Sequence, residues 1–131
     1  MKMFYEYVPE WGWLCRVSSG AGAPFLVRRP DERRYKEILY RKAEAEMVQV
    51  AAYTCRHGAV YTLLKDTDDI GARRVINGAN ANYSKYKKLL GEDTSFADWE
   101  PAPVLSYQGY QELFLKIFHL FFVADGAVLD V

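Results

Sequence analysis

Between Glu112 and Gly126 the chain reads ELFLKIFHLFFVADG. Its phenylalanines and their Leu, Ile and Val neighbours must leave water, because full burial of one such side chain is worth roughly 1.5–3 kcal/mol. On a helix, Glu112, Lys116 and His119 align as one narrow polar strip, while Leu113, Phe114, Ile117, Phe118, Phe121 and Phe122 cover most of the circumference. Such a helix must be enclosed nearly all round. On strands, IFHLFFV, the Asp125-Gly126 turn and AVLDV would form a hairpin instead. Length and the aligned polar strip favour a buried C-terminal helix from about Tyr110 to Val123, ended by Asp125-Gly126, with a short strand after it.

A chain of 131 residues has room for one compact domain, so we expect a single globular unit spanning 1–131. Half of its residues are hydrophobic, enough to fill a core without a metal or disulfides. The apolar run Leu113 to Ala124 carries Lys116 and His119 and falls short of the roughly 20 residues that cross a bilayer, so no membrane partner is expected. The opening MKMFYEYVPE lacks the layout of a signal peptide, and Cys15 and Cys55 are too few for a disulfide framework. The expectation is a soluble, cytoplasmic protein with reduced thiols.

The remaining elements predict an α+β, helix-rich fold. MFYEYV, WLCRV and FLVRR are short, aromatic and β-branched, and suggest two or three strands in an N-terminal antiparallel sheet. RPDERRYKEILYRKAEAEM is the clearest helix: Pro30 suits its first position, Asp31 and Glu32 its positive end, and Tyr35, Ile38, Leu39 and Ala43 form one apolar stripe. Glu32/Lys36 and Glu37/Arg41 have the acid-first spacing of stabilising pairs. VQVAAYTC either extends this helix or begins a strand that turns at His57-Gly58 and returns as AVYTLL; helix is the reading preferred. Thr67 or Asp68 caps a short helix over DIGARRVI, broken by Asn77, Gly78 and Asn80, and NYSKYKKLLG forms a second one closed by Gly91. Glu92 to Pro103, acidic and interrupted by prolines, reads as loop.

Candidate sites are few. Cys15, Cys55, His57 and His119 number what zinc needs, but C-x-H lacks paired ligand knuckles, and neither thiol sits in a sequence that activates a nucleophile. SSGAGAP is followed by neither G-K-[ST] nor a helix, so it fits no phosphate-binding motif. The acidic sets Glu44/Glu46, Asp66/Asp68/Asp69 and Glu92/Asp93 are adequately read as solvated faces, caps and loops. No cofactor, metal ligand set or catalytic residue is therefore assigned.

Charge is more informative. Residues 28–91 hold fourteen Lys/Arg against eight Asp/Glu, and the flanks reverse the balance, although the whole chain is formally neutral. Arginine and large aromatics carry much of the energy at protein interfaces. We therefore expect a non-catalytic interaction protein, an inhibitor, accessory subunit or homo-oligomer, whose partner is another protein or itself. Arg33, Arg34 and Arg41 would make its contacts, with Trp11 and Trp13 as anchors. The alternative is a nucleic-acid binder using segments 28–42 and 73–88, with Arg73, Arg74, Lys85, Lys87 and Lys88 on phosphates and Tyr83 and Tyr86 on bases. A small enzyme with a site assembled from scattered residues is the third reading.

Overall fold

The structure, a computed structural model, describes residues 7–21, 25–118, 120–122 and 128–130. They form an α+β domain with the order β1 (Trp13–Val17), α1 (Arg29–Ala45), β2 (Gln49–Arg56), β3 (Ala59–Lys65), α2 (Asp69–Leu89), β4 (Ala102–Pro103), α3 (Tyr107–Leu113), a π-helical turn (Phe114–Phe118), β5 (Leu120–Phe122) and β6 (Val128–Asp130). The antiparallel sheet runs β2-β3-β1-β4, with β5 and β6 paired apart from it.

Strand alternation assigns each sheet face a different cover. Trp13, Cys15 and Val17 of β1, with Val60 and Leu64 of β3, meet Tyr35, Leu39 and Ala43 of α1 and Val75, Ile76, Ala79 and Tyr83 of α2. On the other face Ala52 and Leu63 pack with Val104, Phe114 and Phe118, and Trp11, Leu14 and Tyr110 border them. A bulge between Val50 and Ala52 shifts the register on β3 and sets Ala51 beside Ala52 on this second face. The two large helices thus lie on one side of the sheet, and α3 with its π-helical turn on the other.

The helices α1 and α2 run antiparallel. Asp31 near the start of α1 meets Lys87 near the end of α2, Tyr35 bonds Asn80, and Lys42 near the end of α1 lies against Gly78. These contacts explain why α2 is one continuous helix rather than the two short ones expected. Gly78 admits the Lys42 stem where a Cβ would collide with it, the Asn80 amide oxygen accepts the buried Tyr35 hydroxyl at 2.6 Å, and Asn77 accepts the Trp99 indole N–H at 3.1 Å. Tertiary partners outweigh their weak helix propensity. Asp68 is the cap, its carboxylate accepting the Gly71 N–H at 2.8 Å.

Three other expectations are corrected. VQVAAYTC does not extend α1: His57 (φ 52) and Gly58 (φ 75) adopt the left-handed pair that closes a two-residue hairpin, so Gln49–Arg56 returns as Ala59–Lys65. Of the N-terminal strands, WLCRV forms β1 and FLVRR forms none, while MFYEYV falls largely outside the described residues. The C-terminal helix starts at Tyr107 and ends at Phe118, and LFF then pairs with VLD, so helix and hairpin divide the segment between them. Phe114 and Phe118 are buried as expected, but Leu115 is 50% exposed, so the sheet covers this helix on one side only. His119 and the Asp125-Gly126 turn lie outside the described residues.

Candidate functional site

Residues flagged from sequence sort by burial. Trp13 is not an exposed anchor: its ring is 5% exposed and its indole N–H donates to the Thr67 carbonyl at 2.9 Å within the core. Tyr83 is fully buried and its hydroxyl donates to the Phe25 carbonyl. Lys87 is likewise interior, its ammonium 3.1 Å from Asp31 and 2.8 Å from Glu92. Arg73 lies against Asp69 and 3.5 Å from Glu100. Folding uses these four groups; Trp13, Tyr83 and Lys87 drop out as surface contacts, whereas Arg73, its side chain 39% exposed, stays at the surface already paired with carboxylates.

The Asp31 cluster ties α1 to α2 and to the chain after it. Burial alone would raise the Asp31 carboxyl, but hydrogen bonds from the Arg28 side chain, Lys87 and the Arg28 backbone hold it below the usual carboxylate range. Burial would likewise lower Lys87, yet its bonds to Glu92 and Asp31 move it above the ordinary lysine value. Arg28 completes the chain of charges, 2.9 Å from Glu92.

What remains exposed is largely basic. Arg33, Arg34 and Arg41 are exposed on α1, and Arg74, Lys85 and Lys88 on α2. Among the described residues none of these has a carboxylate within ion-pair distance, and the expected pairs Glu32/Lys36 and Glu37/Arg41 do not form. Lys36 lies over the rings of Tyr40 and Tyr53 instead, and Arg34 over Tyr86 at 4.9 Å. Helical spacing separates the three arginines: Arg34 and Arg41 point along one side of α1, the α2 side, whereas Arg33 shares the opposite side with Arg29 and Lys36. Between Ile70 and Leu90 the chain has no acidic residue, so the outer face of α2 continues the basic surface.

Arg33 lines a cleft of about 680 Å³ between α1 and the edge strand β2, with Arg29, Glu32, Lys36, Tyr53 and Cys55. The Tyr53 hydroxyl lies 3.4 Å from the Cys55 sulfur. Burial, ahead of the opposing hydrogen bond from Tyr53, pushes the Cys55 thiol up. Cys15, fully buried on β1, is pushed up to about 12, again chiefly by burial. Since β3 separates β1 from β2, the two strands run about 10 Å apart, and Cys15 and Cys55 lie opposite Thr62 and Val60 of β3, a separation too large for a disulfide or a shared metal. Among the described residues no group of His, Cys, Asp and Glu is placed to hold a metal ion, and no helix is long and apolar enough to cross a membrane.

Trp11 lies apart from the arginines, across the sheet. It stacks at 5.2 Å on Tyr107 and 5.0 Å on Tyr110, with Lys65 over Trp11 and Tyr110. Exposed Leu105 and Leu115 lie on the same side. The expected partner-binding set is thus dispersed, with Arg34 and Arg41 on one side of α1, Arg33 on the other, Trp11 across the sheet and Trp13 in the core. Sequence reasoning also passed over the cleft, whose signal was present in the four- and seven-residue spacing of Arg29, Arg33 and Lys36; Tyr53 carried none, because VQVAAYTC was read as helix. No family model, curated protein or solved structure matches this chain.

Proposed function

We propose that this protein acts without a chemical step of its own, as a cytoplasmic accessory or inhibitory subunit that docks on an acidic surface of a larger protein. The observation that carries this reading is the division of its cations. Those that hold the fold, Arg28, Lys42, Arg73 and Lys87, are paired with carboxylates, whereas Arg34 and Arg41 stand exposed with no such partner among the described residues. Exposed like charges on one helical layer repel one another and weaken the folded state. An acidic partner relieves that repulsion and gains charge-assisted hydrogen bonds, bidentate where arginine meets carboxylate. Arg34, held over Tyr86, presents a guanidinium plane already fixed before docking.

The test compares the protein with its Arg34→Glu/Arg41→Glu variant. A partner captured from native lysate and then purified should bind the unaltered protein in a salt-sensitive manner and lose most of its affinity for the variant, while sedimentation shows both to be equally folded. Equal binding by the two proteins, or a strictly monomeric protein that retains nothing, counts against the reading.

The acid-free stretch of α2 favours a second reading, contact with nucleic acid through Arg74, Lys85 and Lys88. Labelled single-stranded oligonucleotides titrated at several salt concentrations decide it. Absence of binding at low salt removes this alternative.

A further inference from the structure

The cleft between α1 and β2 has a chemistry of its own, distinct from the Arg34/Arg41 side of the helix. Arg29, Arg33 and Lys36 recur at i, i+4 and i+7 on one flank of α1, and Tyr53 and Cys55 at i and i+2 on one face of β2. Three cations therefore converge on a space that contains a single carboxylate, Glu32. Like charges at these spacings cost a helix stability, and the one remedy within the chain, a Glu32 to Lys36 ion pair, is not taken. The Lys36 ammonium instead lies 5.8 Å from the centre of the Tyr53 ring and 5.7 Å from that of Tyr40, and the two rings meet edge to face at 6.1 Å. Lysine is thereby held at the aromatic wall, and Arg29 and Arg33 keep their donors without a carboxylate partner among the described residues.

We propose that this cleft binds a phosphoryl group, with the two guanidinium forks and the Lys36 ammonium as its donors. Three positive charges against one negative leave an excess that matches a dianion. Planar guanidinium groups fit pairs of phosphate oxygens, and lysine supplies a point charge beside them. The space, about 680 Å³, lies within the range of small-molecule sites and exceeds what a bare phosphate fills. The remaining volume borders Tyr53, an aromatic surface for a flat body carried on the same phosphate. Two sources share this chemistry, the free anion and a phosphate ester, and they differ in whether Tyr53 adds to the affinity.

Equilibrium dialysis at low salt with orthophosphate, pyrophosphate and adenosine monophosphate tests the site. We expect saturable one-to-one binding of at least one probe, weakened about tenfold by Arg33→Ala and further by Arg29→Ala/Arg33→Ala. Both residues are exposed on the helix surface and repel their cationic neighbours, so the variants should unfold at the same or a slightly higher denaturant concentration than the unaltered protein. A Tyr53→Leu variant that loses affinity for the nucleotide but not for pyrophosphate identifies the ester as the ligand form. Unchanged ratios identify the free anion. The bound probe should also slow alkylation of Cys55 in the cleft, while Cys15 stays unreactive in the core. Absence of saturable binding by all three probes overturns the proposal, as does binding that survives removal of both arginines.

Discussion

Two interior residues mark the extremes of how buried polar groups are matched, one without a partner and one held by two carboxylates. The Thr62 hydroxyl oxygen is buried on the helix side of β3 and has no hydrogen-bond partner. Replacing a buried, unsatisfied hydroxyl by a methyl of the same shape removes its desolvation cost, so Thr62→Val should raise stability by about 1 kcal/mol in a urea titration. Lys87 presents the opposite case. Lys87→Met leaves the fully buried Asp31 with only Arg28, itself 52% exposed, and should cost about 3 kcal/mol, much of it recovered by the double variant Asp31→Leu/Lys87→Met. The same cluster sets a pH window. Asp31 titrates lower in the folded chain than in the unfolded one, so its contribution is present above the unfolded carboxylate value and fades as pH falls through the folded one. Lys87 titrates higher when folded, so its contribution is present below the unfolded lysine value and fades as pH rises through the folded one. The urea midpoint should therefore fall at both ends of the pH range in the unaltered protein, and the acid limb should flatten in the double variant.

At the scale of elements, the sequence was legible wherever local chemistry decided the outcome. Pro30 and the Tyr35/Leu39/Ala43 stripe announced α1, and it runs where they place it. Thr67 or Asp68 was expected as the cap of α2, and Asp68 takes that role. It misled where a distant partner decided: Asn77, Gly78 and Asn80 look like breakers until Trp99, Lys42 and Tyr35 are packed against them. The β2–β3 hairpin was one of two readings and took second place to helix for a related reason, since His57 carries no local preference strong enough to separate a left-handed turn from a helix end. Of the candidate contacts, the arginines on α1 could be placed by helical spacing, but nothing in the sequence distinguished buried Trp13 from half-buried Trp11, two positions away across a glycine. The end of α1 offers a direct check. Met47 takes a left-handed conformation (φ 59), and Val48 bonds back to the Ala43 carbonyl at 2.9 Å, an arrangement that glycine adopts without strain. The Met47 side chain is 88% exposed and contributes little packing, so Met47→Gly should stabilise the protein by about 1 kcal/mol. A lower melting temperature in the variant would contradict this account of the helix end.

Over the whole molecule the charges are sorted by layer, and the sorting is incomplete. Glu92 and Glu100, from the acidic stretch after α2, neutralise Lys87, Arg28 and Arg73. The rest of the α1–α2 layer keeps its cations exposed, so a formally neutral protein carries a locally positive side. Surface repulsion of this kind acts through water and is screened by salt, with a Debye length near 10 Å at about 0.1 M, whereas the interior pair of Asp31 and Lys87 is hardly screened. Raising the salt concentration should therefore stabilise the unaltered protein against urea by relieving repulsion among Arg33, Arg34, Arg41 and their neighbours. The Arg34→Glu/Arg41→Glu variant, which removes two of those cations, should gain less from salt. If instead salt destabilises the unaltered protein, ion pairs rather than unpaired cations dominate its surface, and the reading of this layer as a docking face loses its electrostatic basis.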